Sequence, residues 1–183
     1  QLIIYPDQGP SSDNQNNDML VDKLTNFIQA RQSELRNLIE VATRLGSNLR
    51  RSDLSYVLCH GDIHEDNILL VDSSKKYIID WDNAILAPKE RDLFFFDKNK
   101  DYLTGYFRNL DEPRSISPLS VDPYVIDYYV LEWALQEICD YGNRILFDTK
   151  FDQDGRLDAW QQFQILFDTN RDVDLALRLA RKF

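Results

Sequence analysis

Three polar side chains in one short stretch, Tyr56 to Asp82 (YVLCHGDIHEDNILLVDSSKKYIIDWD), have the types and order that metal-assisted group transfer needs. Asp62 follows His60-Gly61 after an apolar run, Asn67 comes after four intervening residues, and Asp80 closes a further apolar run. A carboxylate such as Asp62 can accept the proton of an attacking hydroxyl. The amide oxygen of Asn67 and the carboxylate of Asp80 are hard oxygen donors, the kind Mg²⁺ prefers. Taken singly, Asp62 can be a turn residue, Asn67 a turn cap and Asp80 a strand end. Their joint order of loop acid, amide, hairpin and strand-end acid points instead to one site. His60 is expected to hold the loop by hydrogen bonding rather than to act as a base. His64 follows two residues past Asp62 in the same loop. Two histidines without a third partner make a weak zinc signal, and no nucleophile triad competes.

Residues of this kind need strand ends and loops held by a core. Tyr56 to Cys59 lies between polar segments and reads as a buried strand. Asn67 to Val71 and Tyr77 to Ile79 are apolar and β-prone, and the turn Asp72-Ser73-Ser74-Lys75 joins them into a small hairpin. From Leu20 to about Leu49, apolar residues recur in three- and four-residue steps, at Leu24, Phe27, Ile28, Leu35, Leu38, Ile39, Ala42 and Leu45. That spacing predicts one long amphipathic helix or two abutting ones. Asp122-Pro123 is a helix start, and Val125 to Phe147 reads as the second long helix. Its apolar stripe runs through Val125, Tyr128, Leu135, Cys139, Gly142 and Leu146, and Glu132 falls on it. A carboxylate there must meet a buried cation or face a wet pocket. Glu137, Asp140 and Arg144 share another face, read as solvated. Two shorter amphipathic helices end the chain, one marked by Ala159 to Phe167 and one by Val173 to Phe183. Leu2 to Tyr5 reads as a short strand or the tail of a preceding element. The polar segments Asp7 to Asp18 and Asp97 to Ser120 read as loops. A structureless segment as long as the second is usually functional or mobile.

The 183 residues suffice for a single domain with a sizeable core. A net charge of −10 argues against nucleic acid and acidic membranes as partners; it is compatible with a cationic small molecule, although a solvated acidic surface is the commoner origin of such a charge. No run reaches the roughly 20 apolar residues of a membrane span, and no signal peptide is visible. Cys59 and Cys139 lie in apolar surroundings without ligand spacing and are expected to be reduced, buried packing residues of a cytoplasmic protein.

The motif His60-Gly61-Asp62-Ile63-His64-Glu65-Asp66-Asn67 resembles the aminoglycoside phosphotransferase family of the kinase-like fold. So do Ile79-Asp80-Trp81-Asp82 and Leu86-Ala87-Pro88-Lys89-Glu90-Arg91-Asp92-Leu93 downstream. That family also includes choline, fructosamine, homoserine and methylthioribose kinases. The Asp62–Asn67 spacing is likewise that of the protein-kinase catalytic loop. Asp80 to Leu93 is most similar to the spectinomycin phosphotransferase branch. Tyr128, Tyr129, Glu132, Glu137, Tyr141 and Gly142 extend the similarity into the second long helix.

The resemblance implies that Asp62 is the catalytic base, with His64 near the transferred phosphate. It implies that Asn67 and Asp80 hold Mg²⁺, that Ile79 lines the floor of an ATP or GTP pocket, and that Asp92 buttresses the catalytic loop. Asp82, Glu132 and Glu137 are the implied contacts to the acceptor. None of the six glycines forms a Gly-rich phosphate loop, and no strand Lys with a helix Glu partner precedes the central stretch. The resemblance therefore covers the carboxy-terminal lobe alone and implies an amino-terminal nucleotide lobe as its partner. The expected fold is a mostly helical α+β lobe. The expected function is O-phosphorylation of a small cationic molecule, an aminocyclitol antibiotic foremost. A metabolic small-molecule kinase and a stand-alone binding lobe are the alternatives.

Overall fold

The helical periodicity after Asp18 runs on through Arg31, although the helix itself breaks there. In the computed structural model, which describes residues 12–71, 75–96, 121–147 and 152–183, it yields two abutting helices, α1 (Ser12–Ala30) and α2 (Gln32–Leu49). The Arg31 N–H donates to the Ile28 carbonyl at 3.1 Å, and its own carbonyl accepts the Leu35 N–H at 3.0 Å. Helix α1 begins at Ser12, so part of the polar segment predicted as a loop is helical. Residues 12–18 contain no Pro or Gly, so their composition does not oppose a helix. The predicted features at Leu2 to Tyr5 and at Asp97 to Ser120 lie outside the described residues.

The chain divides into two compact units, residues 1–41 with 131–183, and residues 42–130. In the first, Leu20 and Leu24 of α1 bury themselves against Ile145 of α4 (Pro123–Leu146) and against Ala159, Trp160 and Phe163 of α5 (Gln153–Ile165). Phe27 sets its edge against three rings, Trp160 at 5.8 Å, Phe163 at 5.5 Å and Phe167 at 4.9 Å. Contacts of this kind add about 0.5–1.5 kcal/mol each beyond area burial. Helix α6 (Asp172–Ala180) buries Val173, Ala176, Leu177 and Ala180. Arg181 reaches Glu34 of α2 at 2.6 Å.

The buried seam of α4 differs from the predicted stripe. Leu131, Ala134 and Ile145 are buried, and Ile138 and Tyr141 pack against the aromatic cluster, whereas Leu146 and Cys139 are exposed. Val125 is buried as predicted, but from Leu131 onward the seam is displaced by one residue, about 100° around the helix. Several apolar residues on neighbouring faces make such a rotation invisible to periodicity. Cys139 is therefore not a packing residue, and Glu132 sits half-buried beside the seam.

In the second unit, β1 (Val57–Cys59) pairs antiparallel with β4 (Ile85–Ala87), and β2 (Ile68–Leu70) with β3 (Lys76–Ile78). The second pair is the predicted hairpin. Strand β4 was not expected, because three residues before Pro88 are too few to show alternation. The expectation that β1 is buried holds only at Cys59. Val57 and Leu58 are 44% and 66% exposed, since a two-stranded ribbon covers little of itself. Helix α3 (Glu90–Leu93) follows β4, and α2 approaches the start of α4 closely. A Cβ at Gly46 would lie 2.8 Å from Tyr128 Cε2. Among the described residues no helix is long and apolar enough to cross a membrane.

The last turn of α4 is closed by a side chain of α5. Arg156 donates from Nε and Nη2 to the Ile145 carbonyl, at 2.8 and 2.5 Å, satisfying an orphan carbonyl of the helix end. Arg156→Met keeps much of the side chain's bulk and removes both donors. It is expected to lower unfolding free energy by about 1–2 kcal/mol in urea titration; an unchanged midpoint and slope would show that the cap contributes nothing.

Candidate active site

The loop carrying Asp62 is held from below by one carboxylate. Asp92 of α3 accepts the His60 N–H at 2.8 Å through Oδ2 and the Gly61 N–H at 2.9 Å through Oδ1. Two successive N–H groups can share one acceptor group because Gly61 takes φ +85°, a conformation costly for residues with a Cβ. A Cβ there would also lie 2.5 Å from the Asn83 carbonyl oxygen. The loop thus lies directly against the 3₁₀ turn Trp81–Asn83, which follows Asp80.

His60, 1% exposed, ties the same two segments together. Its Nε2 lies 2.8 Å from the Ile79 carbonyl, which can only accept, so the proton is on Nε2. Nδ1 is then the acceptor for the Asp62 N–H at 3.3 Å. The Trp81 ring lies against the imidazole with centroids 4.8 Å apart, and Trp81 Nε1 donates to the Ile78 carbonyl at 2.9 Å.

Asn67 closes the loop. Its Nδ2 donates to the Asp62 carbonyl at 2.8 Å and lies 3.5 Å from the Asp62 carboxylate. These bonds occupy the amide nitrogen and leave Oδ1 as the atom able to serve a cation. The Asn67 carbonyl accepts the Ile79 N–H at 3.0 Å, extending the β2–β3 ladder by one pair. Asn67 therefore stands opposite Ile79, and Asp80 is the next residue. Asp80 has φ 62° and ψ 59°, a left-handed conformation that Asp tolerates better than most residues. His64 Nε2 lies 3.2 Å from Asn67 Nδ2 and 3.7 Å from Asp62 Oδ1, and its Nδ1 is 3.6 Å from Asp66 Oδ2.

Asp62, His64, Asn67, Ile79, Asp80, Asp82, His60 and Asp92 thus belong to one neighbourhood of the second unit. Ile79 and Asp82 are exposed there. Glu132 and Glu137 lie on the part of α4 that belongs to the first unit. Glu132 Oε1 accepts from Gln136 Nε2. Burial pushes the Tyr141 phenol up, and the Glu137 carboxylate adds to that. Asp140 pairs with Arg144 at 2.6 Å.

Sequence reasoning missed two buried charged residues beside the loop, Glu90 and Arg91, which are 3% and 9% exposed. The Arg91 guanidinium lies 5.6 Å from the Phe94 ring centre and 5.5 Å from that of Tyr129. Adjacent charges in a PKERDL stretch carry no periodic signal that either is buried.

The donor set fits one kind of cation. Among the described residues no group of three His, Cys, Asp or Glu is placed to hold a metal alone. An amide oxygen and a carboxylate at the end of one ladder suit Mg²⁺, which takes its other oxygens from water and phosphate.

Cys59 lies under the loop, its thiol donating to the Pro88 carbonyl at 3.4 Å. Burial first, and then the charge of Asp92, push the thiol from its ordinary 9.0 up to about 11. Between those pH values the unfolded chain sheds a proton that the folded chain keeps, so stability falls as pH rises. Over that window wild type is expected to lose on the order of 2 kcal/mol more stability than Cys59→Ala, measured by denaturant unfolding at each pH. Identical pH slopes in the two proteins would contradict this placement of the thiol.

The model of a family described as the phosphotransferase enzyme family matches residues 5–96. A crystal structure of spectinomycin phosphotransferase, APH(9)-Ia, in complex with ADP and spectinomycin is similar, with 28% identity and a TM-score of 0.70. The match covers 94% of this chain and 51% of that one. The AMP-bound complex of spectinomycin phosphotransferase, APH(9)-Ia, matches with 31% identity and a TM-score of 0.65, covering 92% of this chain and 51% of that one. The chain thus spans about half the length of these solved structures. No match was found among curated protein sequences.

Proposed function

The chain belongs to the phosphotransferase enzyme family, and from that premise we propose that it is the carboxy-terminal lobe of a kinase acting on a small cationic molecule. The reaction moves the γ-phosphoryl group of ATP or GTP to an acceptor hydroxyl, and spectinomycin or a related aminocyclitol is the leading acceptor. One observation carries the reading: Asn67 bonds the Asp62 carbonyl through its amide nitrogen and Ile79 through its backbone. Asp80 is the next residue after that ladder pair, which supports a shared site for the Asp62 carboxylate, the Asn67 amide oxygen and Asp80.

In this reading the acceptor O–H gives its proton to the Asp62 carboxylate as its oxygen bonds to the γ-phosphorus. The bond from that phosphorus to the β-phosphate oxygen breaks, and the nucleoside diphosphate leaves with the charge. Asn67 Oδ1 and Asp80 hold Mg²⁺, which when bound neutralises charge on the phosphate oxygens. His64 stands beside Asp62 near the transferred group. Ile79 forms the floor of the nucleotide pocket. Asp82 supplies negative charge to a cationic acceptor. The protein's work is mainly positioning and charge neutralisation.

The partner is an amino-terminal lobe carrying the phosphate loop and the rest of the nucleotide pocket. The half-length match to the solved enzymes supports this. So do the exposed apolar residues of the two ribbons, among them Val57, Leu58, Leu70 and Leu86. Such surface on strands is normally covered. A nucleoside triphosphate donor fits a cytoplasmic setting.

Asp62→Asn in the full-length protein is expected to lower turnover by about 10²–10⁴-fold while Mg²⁺–nucleotide affinity is retained. Steady-state kinetics and nucleotide titration check this. Turnover at the wild-type rate would remove Asp62 from the role of base.

A further inference from the structure

We propose that Glu90 is a positioning residue for phosphoryl transfer, keying the start of α4 to the catalytic loop through helix α3. The proposal rests on the phosphotransferase reading above.

Helix α4 begins with Asp122 as its cap. The Asp122 Oδ1 accepts the Tyr124 N–H at 2.9 Å, and its carbonyl accepts the N–H groups of Val125 and Ile126, each at 3.1 Å. In a capping box, a Glu or Gln three residues after the cap bonds back to the cap's own N–H. Here that position is Val125, which cannot do so. Glu90 supplies the missing acceptor from 32 residues away, taking the Asp122 N–H at 3.1 Å through Oε1. The same oxygen meets Lys89 Nζ at 2.9 Å. Arg91 adds its contact with Tyr129 further along α4.

The opposite side of α3 holds the site. Asp92, two residues after Glu90, carries the His60 and Gly61 N–H groups. Helix α3 is four residues long, a single turn with no room to bend between Glu90 and Asp92. A shift of the α4 cap is therefore transmitted to the backbone that presents Asp62. Burying a carboxylate at 3% exposure is costly unless its oxygens are used. Packing alone would be served better by an aliphatic residue. The acceptor oxygen is the property the position requires.

Three variants of the full-length protein test this, with kcat measured per folded molecule and Mg²⁺–nucleotide affinity measured separately. Glu90→Ala is expected to lower kcat by about 10²-fold, the scale of a 1 Å misplacement, with nucleotide affinity unchanged. Glu90→Gln keeps an acceptor oxygen and loses the charge, and is expected to hold kcat within about threefold of wild type. Glu90→Asp keeps the charge but falls one methylene short of the Asp122 N–H, and is expected to behave like Glu90→Ala. If Glu90→Ala does not fold, the Gln and Asp variants decide. Loss in Gln with retention in Asp would assign the effect to the Lys89 pair and overturn the proposal. Equal retention or equal loss in both would overturn it too. Absence of turnover in wild type across cationic acceptors would overturn the phosphotransferase reading and this proposal together, whereas an active wild type with an equally active Glu90→Asp overturns this proposal alone.

Discussion

The site depends on the Asp92 carboxylate, which receives the N–H groups of two successive residues, His60 and Gly61. Hydrogen bonds to a charged acceptor are each worth about 1.5–3 kcal/mol, and buried N–H groups left without one cost a similar amount. The other constraints follow from that anchorage. Gly61 must turn left-handed to aim its N–H at Asp92, which presses it against the Asn83 carbonyl. His60 then points its ring at the Ile79 carbonyl and its Nδ1 at the Asp62 N–H. Asn67 bonds the Asp62 carbonyl from the far side of the loop. Asp62 is thus bounded through its own backbone on both sides, and its carboxylate meets Asn67 Nδ2 at 3.5 Å and His64 Nε2 at 3.7 Å.

The Asp80 segment is built differently. Asp80 occupies a left-handed conformation that costs a residue with a Cβ about 1–2 kcal/mol, less for Asp. The surrounding bonds hold it there: the Asn67–Ile79 ladder pair comes before it, and the 3₁₀ turn closed by the Ala84 N–H on the Trp81 carbonyl comes after. Strain held by its neighbours at such a position is a common property of functional sites.

Local signals in the sequence were readable and relative placement was not. The helices α2, α4, α5 and α6 and the β2–β3 hairpin follow from periodicity and turn residues. The break at Arg31, the helical polar segment after Ser12 and the three-residue β4 do not, since none changes the apolar pattern. The seam of α4 was displaced by one residue because Leu131, Ala134 and Ile138 compete with Tyr128, Leu135 and Cys139 for the same period. In the candidate site, Asp62 and Asn67 were legible as a pair because one short loop carries both. The Gly61–Asn83 approach and the Glu90–Asp122 bond join residues 22 and 32 positions apart, and only the folded backbone brings them together. The ribbons' exposed apolar faces show the same limit. The residue types of β1, β2 and β3 forecast strands correctly, but burial depends on what covers them, and Val57 and Leu58 of β1 are exposed.

The central claim is that the Asp62, Asn67 and Asp80 constellation serves transfer of a phosphoryl group to a hydroxyl of a small molecule. Its most direct test is ³¹P NMR of the full-length protein with Mg²⁺, a nucleoside triphosphate and spectinomycin, followed by a panel of other hydroxylated cations. The account predicts a new phosphomonoester resonance on an acceptor, appearing in step with nucleoside diphosphate. Conversion of the γ-phosphate to inorganic phosphate alone, or no consumption of nucleotide with any acceptor, would contradict it.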